Sequence, residues 1–155
     1  PGAEERALLE AAALLHDVGQ LVSYRAHHKH SYQLIMHGER LPFSPRERQL
    51  VALISRYHRR RGPRKKHRVF RGMPREDQAI IRRLAGILRI AEGLDRGHTA
   101  SVEKVALEVC PTRVTIRAVP RFSEADLALE CWGATEQADL LTRVVARKVV
   151  IEPAV

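Results

Sequence analysis

The hydrophobic period of this chain changes once, near residue 100, and that change limits what it can fold into. Ahead of the change, apolar residues recur at spacings of three and four, as they do down one side of a helix. Leu8, Ala11, Leu15 and Val18 make one such stripe, with Leu14 adjoining it. Leu50, Val51, Leu53, Ile54 and Tyr57 make a second, and Ile80, Ile81, Leu84, Ile87, Leu88, Ala91 and Leu94 a third. Beyond Ala100 the spacing is two: Val105, Leu107 and Val109, then Val114 and Ile116, then Leu127, Leu129 and Cys131. That period predicts short strands with one buried face. The expected fold is mainly α, a helical bundle over residues 1–100 followed by a small α+β extension over 101–155. The two parts are expected to pack as one unit.

The punctuation sharpens this reading. A helix is expected over 4–18, with Gly19 just past its end, where a left-handed turn suits glycine. A loop over 20–29 and a short helix over 30–37 follow, closed by Gly38 and Pro42. Ser44, Pro45 and Glu47 supply an N-cap, a first-turn proline and a capping-box partner for a helix reaching His58. A long helix is expected over 74–96, stopped by Gly97. The three strands are read as antiparallel, with a helix over 135–148 packed on them and a last strand over 149–152.

Lys and Arg outnumber Asp and Glu by 27 to 18, a formal charge of +9 on 155 residues. Such an excess favours anionic partners, and much of it is concentrated in residues 59–68, Arg-Arg-Arg-Gly-Pro-Arg-Lys-Lys-His-Arg. Gly62-Pro63 breaks any helix there, so this is a basic loop. Arginine's planar fork matches phosphate oxygens, and a cluster gains from released counterions. Arg59, Arg60, Arg61, Arg64, Lys65, Lys66 and Arg68 are the candidate polyanion contacts, joined by His27, His28 and His30 at a helix start. Few aromatics are interleaved, which argues against stacking on single-stranded bases. No apolar run is long enough to span a membrane. Cys110 and Cys131 lack zinc or disulfide spacing and are read as small buried hydrophobes of a cytoplasmic protein.

His16-Asp17 at the end of the first helix sets two metal-ligand types side by side. Leu14-Leu15-His16-Asp17-Val18-Gly19 resembles the central motif of the HD superfamily of metal-dependent phosphohydrolases. Tyr57-His58 resembles that superfamily's second histidine region, and Ile90-Ala91-Glu92-Gly93-Leu94-Asp95 its closing segment. Further stretches narrow the match: His27-His28-Lys29-His30-Ser31-Tyr32, Leu41-Pro42-Phe43-Ser44, Arg56-Tyr57-His58-Arg59-Arg60 and Leu88 to Arg96. Together these resemble the C-terminal part of the exopolyphosphatase/guanosine pentaphosphate phosphohydrolase family, across residues 8–98.

The resemblance implies metal ligands at His16, Asp17, His58 and Glu92 or Asp95, with Mg²⁺ or Mn²⁺ as the cofactor if one is bound. It implies inorganic polyphosphate or guanosine polyphosphate as partner, a homodimer, and no membrane. Three departures limit the carry-over. No histidine precedes His16, Glu92 stands where the closing ligand is an Asp, and no glycine-rich phosphate loop occurs. In the family the phosphoanhydride chemistry belongs to an actin-like N-terminal domain. The chain is therefore expected to be a detached accessory domain that binds polyanion and aids dimerisation, with no catalytic residue assigned. An autonomous metal-dependent phosphohydrolase and a purely structural dimerisation module are the alternatives.

Overall fold

The computed structural model describes residues 2–59, 62–123 and 125–154. In order, its elements are α1 (Ala3–Leu15), a 3₁₀ turn (Val18–Leu21), α2 (His27–His37), α3 (Pro45–Arg56), α4 (Arg68–Arg71) and α5 (Arg75–Leu94). They continue with β1 (Val102–Val109), β2 (Arg113–Pro120), α6 (Ala128–Gln137), α7 (Asp139–Val145) and β3 (Lys148–Pro153). The protein is mainly α with a small α+β extension, as its periods predict. Among the described residues, no helix is long and apolar enough to cross a membrane. The chain divides into two compact units, Pro1–Leu88 and Arg89–Val155.

In the first unit the core lies between α1, α2 and α3, and Leu8, Ala12, Ile35, Leu50, Leu53 and Ile54 are buried in it. The capping box that opens α3 forms as expected: the Glu47 amide donates to Ser44 Oγ and the Ser44 amide to Glu47 Oε2. The first helix is shorter than its apolar pattern implies. It stops at Leu15, and the buried face passes through Leu8 and Ala12, leaving Leu14 85% exposed. The reason is local: Asp17 leaves helical geometry (φ −104°, ψ 1°), and the chain restarts as the tighter 3₁₀ turn.

Gly19 is not a left-handed cap, because among the described residues no glycine has positive φ. Its role is close approach. A Cβ there would lie 2.2 Å from the His27 carbonyl oxygen and 2.4 Å from the Ser31 amide nitrogen, so only glycine lets the turn rest on α2. α2 itself begins three residues earlier than expected, at His27, after Ala26 turns the chain in a left-handed conformation (φ 59°).

In the second unit Leu127–Cys131 is not the strand that its alternation predicts. These residues open α6, and Leu127, Cys131, Ala134 and Ala138 are buried at helical spacing while Leu129 points outward. A three-residue alternation fits a helix as readily as a strand, and here the longer period governs. The single helix expected over 135–148 is two, α6 and α7, parted at Ala138. The sheet has the order β1-β2-β3. β1 and β2 pair antiparallel, but β3 pairs parallel to β2, so the sheet is mixed rather than antiparallel. Connecting parallel neighbours requires a crossover, which α6 and α7 provide.

β2 buries Ile116 and Ala118, β3 buries Val149 and Ile151, and the outer strand β1 stays exposed along almost its whole length. Gly93 of α5 meets α6 backbone to backbone, since a Cβ would sit 2.4 Å from the Ala134 Cα. Arg89, buried, donates to Asp139 Oδ1 at 3.0 Å and ties α5 to the start of α7. Cys131 is buried as expected, whereas Cys110 is only half-buried, and both are free thiols.

Candidate functional site

Four side chains that the sequence scatters over forty residues converge in the first unit. His16 and Asp17 follow α1 directly, His27 is the first residue of α2, and His58 lies two residues past the end of α3. The turn carrying His16 and Asp17 is held on α2 by Ser31, which is fully buried. Its hydroxyl donates to the His16 carbonyl and accepts the Gly19 amide at 2.9 Å.

Each imidazole is fixed by the same local device. His16 Nδ1 lies 2.7 Å from the Ala13 carbonyl oxygen, His27 Nδ1 lies 3.1 Å from that of Tyr24, and His58 Nδ1 bonds that of Ser55. In every case the partner is the carbonyl three residues back. A carbonyl oxygen only accepts, so each Nδ1 carries the proton.

The Nε2 atoms therefore face one another and Asp17. His27 Nε2 is 3.3 Å from His58 Nε2 and 3.1 Å from Asp17 Oδ1. His58 Nε2 is 3.6 Å from the same oxygen, and His16 Nε2 is 3.7 Å from Asp17 Oδ2. The rings of His27 and His58 stack at 5.4 Å, and His16 meets His58 edge-on at 4.8 Å. Burial holds His58 neutral: its pKa falls to about 3, opposed by the bond to Ser55, with His16 adding to the fall and Asp17 resisting it. Gln20 Nε2 donates to Asp17 Oδ2 at 2.6 Å, while Asp17 Oδ1 is buried with no hydrogen bond among the described residues. Ligand-type atoms of His16, Asp17 and His58 all lie within 4.8 Å of one another, a spacing that one metal ion could bridge.

Glu92 and Asp95 belong to the second unit. Glu92 is half-buried on α5, and Asp95 is exposed beside His98, 3.6 Å from its Nδ1. Of the histidines read as phosphate contacts, His27 and His28 are buried and His30 is half-buried. His27's convergence on Asp17 is the part that sequence reading missed. The signal was there in its placement ten residues after Asp17, at a helix start.

The basic loop follows His58. Arg60 and Arg61 lie outside the described residues. The Arg59 guanidinium sits 5.8 Å over the Tyr24 ring, and Arg64, Lys65, Lys66 and Arg68 are exposed. Among the described residues, none of these five pairs with a carboxylate, whereas Arg46, Arg83, Arg89, Arg117 and Arg143 all do. The loop is anchored from beneath. Tyr57, buried, donates its hydroxyl to His67 Nδ1 at 2.9 Å, and the two rings stack at 5.5 Å. Partial burial, helped by Arg56, Lys66 and Arg64, lowers the His67 pKa and keeps that nitrogen an acceptor.

Comparison with known proteins accords with the resemblance to the exopolyphosphatase/guanosine pentaphosphate phosphohydrolase family. Residues 2–131 match the family model described as Ppx/GppA phosphatase, domain III. A guanosine-5'-triphosphate,3'-diphosphate pyrophosphatase of Pseudoalteromonas atlantica is 31% identical over 91 residues, which is 58% of this chain and 17% of that protein. One of the same name from Pseudoalteromonas translucida is 36% identical over 52 residues, 34% of this chain and 10% of that protein. The aligned stretches thus span about a tenth to a sixth of these relatives. With the matched region covering most of its length, this chain belongs to the Ppx/GppA phosphatase family, as its domain III.

Proposed function

We propose that this domain is an accessory, polyanion-binding part of a cytoplasmic Ppx/GppA-family protein, aiding its dimerisation. Phosphoanhydride hydrolysis would then reside in an actin-like catalytic domain in cis. Residues 1–100 are read as its HD-type helical part and 101–155 as the extension. The observation that carries this reading is the anchored basic loop, whose Arg59, Arg64, Lys65, Lys66 and Arg68 have no carboxylate partner among the described residues. Charges left without a carboxylate partner among the described residues are available to phosphate, and arginine can grip it in two places. The expected ligand is inorganic polyphosphate or a guanosine polyphosphate, the latter being the kind of compound for which the two relatives are named. Polyphosphate binding by the purified chain, measured against salt, tests this. Affinity should fall steeply as salt rises, and Lys65→Gln with Lys66→Gln should weaken binding and flatten the salt slope. Salt-independent binding, or none, overturns the reading.

A second reading, an autonomous metal-dependent phosphohydrolase, is favoured by the convergence of His16, Asp17 and His58. A bound Mg²⁺ or Mn²⁺ would supply an activated water and charge neutralisation to such a reaction. Polyphosphate hydrolysis with added Mn²⁺ that disappears in a His16→Ala, Asp17→Ala variant would support it. Equal rates in the variant would overturn it.

A further inference from the structure

We propose that the free edge of β1 is a self-association surface, on which two copies of this chain pair antiparallel about Ala106 and join their sheets. The inference rests on the dimerisation part of the proposed function and names the surface that would carry it.

β1 is the outer strand of the order β1-β2-β3, so one side of its backbone has no ladder partner. The Cys110 amide donates to the Arg113 carbonyl at 2.8 Å, and antiparallel hydrogen bonds return at every second residue. Lys104, Ala106 and Glu108 therefore turn their backbone groups to β2, while Val105, Leu107 and Val109 turn theirs to the free edge. The register shifts between Val102 and Lys104, at the start of the strand, and from Lys104 to Val109 the pairing with β2 is regular. That leaves a regular run of unmatched donors and acceptors, the template on which another strand adds.

The side chains give this edge an apolar margin. Val105, Leu107 and Val109 stand opposite Ala118, Ile116 and Val114 of β2, which puts them on the sheet face where Ile116, Ala118, Val149 and Ile151 are buried. α6 and α7 pack on β3, yet Val105, Leu107 and Val109 are 45%, 65% and 61% exposed. The apolar face thus continues past its cover.

Charge selects a second copy as the occupant. With a two-fold axis at Ala106, Val105 of one copy stands opposite Leu107 of the other, and Lys104 opposite Glu108. Each pair is made twice, because the interface is isologous. Val105 and Leu107 are residues whose backbone groups face outward, so the same axis also matches donors with acceptors. Lys104 has no carboxylate partner among the described residues, and Glu108, 2.9 Å from Arg117, would lie between two cations in the pair. A lysine on an edge strand ordinarily keeps other strands away. Here it faces a carboxylate. Moving the axis to Val105 or Leu107 sets Lys104 opposite Ala106 or Cys110 and loses both ion pairs. Two three-stranded sheets become one continuous sheet. An edge of 8 residues is a small interface, so association should be weak and depend on concentration.

The test is sedimentation of the whole chain from low to high micromolar concentration. We expect a monomer–dimer equilibrium in which amide exchange at Val105 and Leu107 slows as dimer forms, while Ala106 and Glu108 are protected throughout. Lys104→Glu and Glu108→Lys, with far-ultraviolet dichroism unchanged, should each weaken association about tenfold or more, because each sets like charges opposite one another twice. An equimolar mixture of the two variants should restore it, since unlike charges then meet at both positions. A monomer at every concentration overturns this surface and the dimerisation reading together, and leaves the polyanion reading standing. A dimer that the charge variants leave intact, or a mixture no tighter than either variant alone, overturns this surface and leaves dimerisation to another face.

Discussion

His27 Nε2 and His58 Nε2 stand 3.3 Å apart, each on a ring whose other nitrogen is bound to the carbonyl three residues behind it. One side chain opens α2 and the other lies two residues past the end of α3, 31 positions away, so this pairing exists only in the folded chain. Anything that loosens either helix end will disperse the cluster.

The pH dependence of folding should report that arrangement. His58 in the native chain has its pKa lowered to about 3, against an ordinary value near 6.5. Between those values the unfolded chain takes up a proton that the native chain refuses. His58 therefore contributes full stability above pH 6.5 and loses it as pH falls towards 3. From about pH 6.5 to pH 5 the loss should be roughly 2 kcal/mol. Urea unfolding at two pH values, with chelator present, checks this. His58→Gln should show a distinctly flatter acid dependence than the wild-type chain.

Gly19→Ala should destabilise the first unit by about 3 kcal/mol. The added methyl would meet the backbone of His27 and Ser31, and backbone cannot swing aside as a flexible side chain can. Chemical denaturation of the variant measures the loss, and an effect well below 1 kcal/mol would mean that the turn rides higher on α2 than described.

Ser44→Ala removes one half of the capping box that opens α3 and should cost about 1 kcal/mol. The cost should appear as a lowered denaturation midpoint with an unchanged slope, since little extra surface is exposed.

Tyr57→Phe deletes the hydroxyl that holds His67 and leaves the stacked ring in place. A stability loss of about 1 kcal/mol is expected. The more telling readout is trypsin cleavage after Lys65 and Lys66, which should accelerate once the loop is untethered. Unchanged cleavage kinetics would show that stacking alone anchors it.

Much of this was legible from local chemistry. Ser44, Pro45 and Glu47 act within one turn of each other, so their spelling is enough to start α3. Long stripes such as the one from Ile80 to Leu94 leave little room for another period. Short alternations are weaker witnesses. Leu127, Leu129 and Cys131 satisfied a strand rule, yet the deciding partners, Ala134 and Ala138, lay beyond the window. The parallel pairing of β3 was equally out of reach, because strand direction depends on how α6 and α7 return the chain.

At the site, His16, Asp17 and His58 were readable as residue types with ligand chemistry. Their convergence with His27 depends on Gly19 and Ser31 docking a turn onto a helix, a tertiary event with no periodic trace. Conversely, the burial of His28 was hidden by its polarity, which by itself argues for the surface.

The carbonyl tethers on the three histidines have an entropic consequence. A free imidazole side chain samples several rotamers, and ordering one on a ligand costs on the order of 1 kcal/mol. Here that cost is met during folding, by hydrogen bonds to Ala13, Tyr24 and Ser55. Whatever occupies the space between the rings binds to side chains already in place, so its affinity reflects contact strength with little deduction for order.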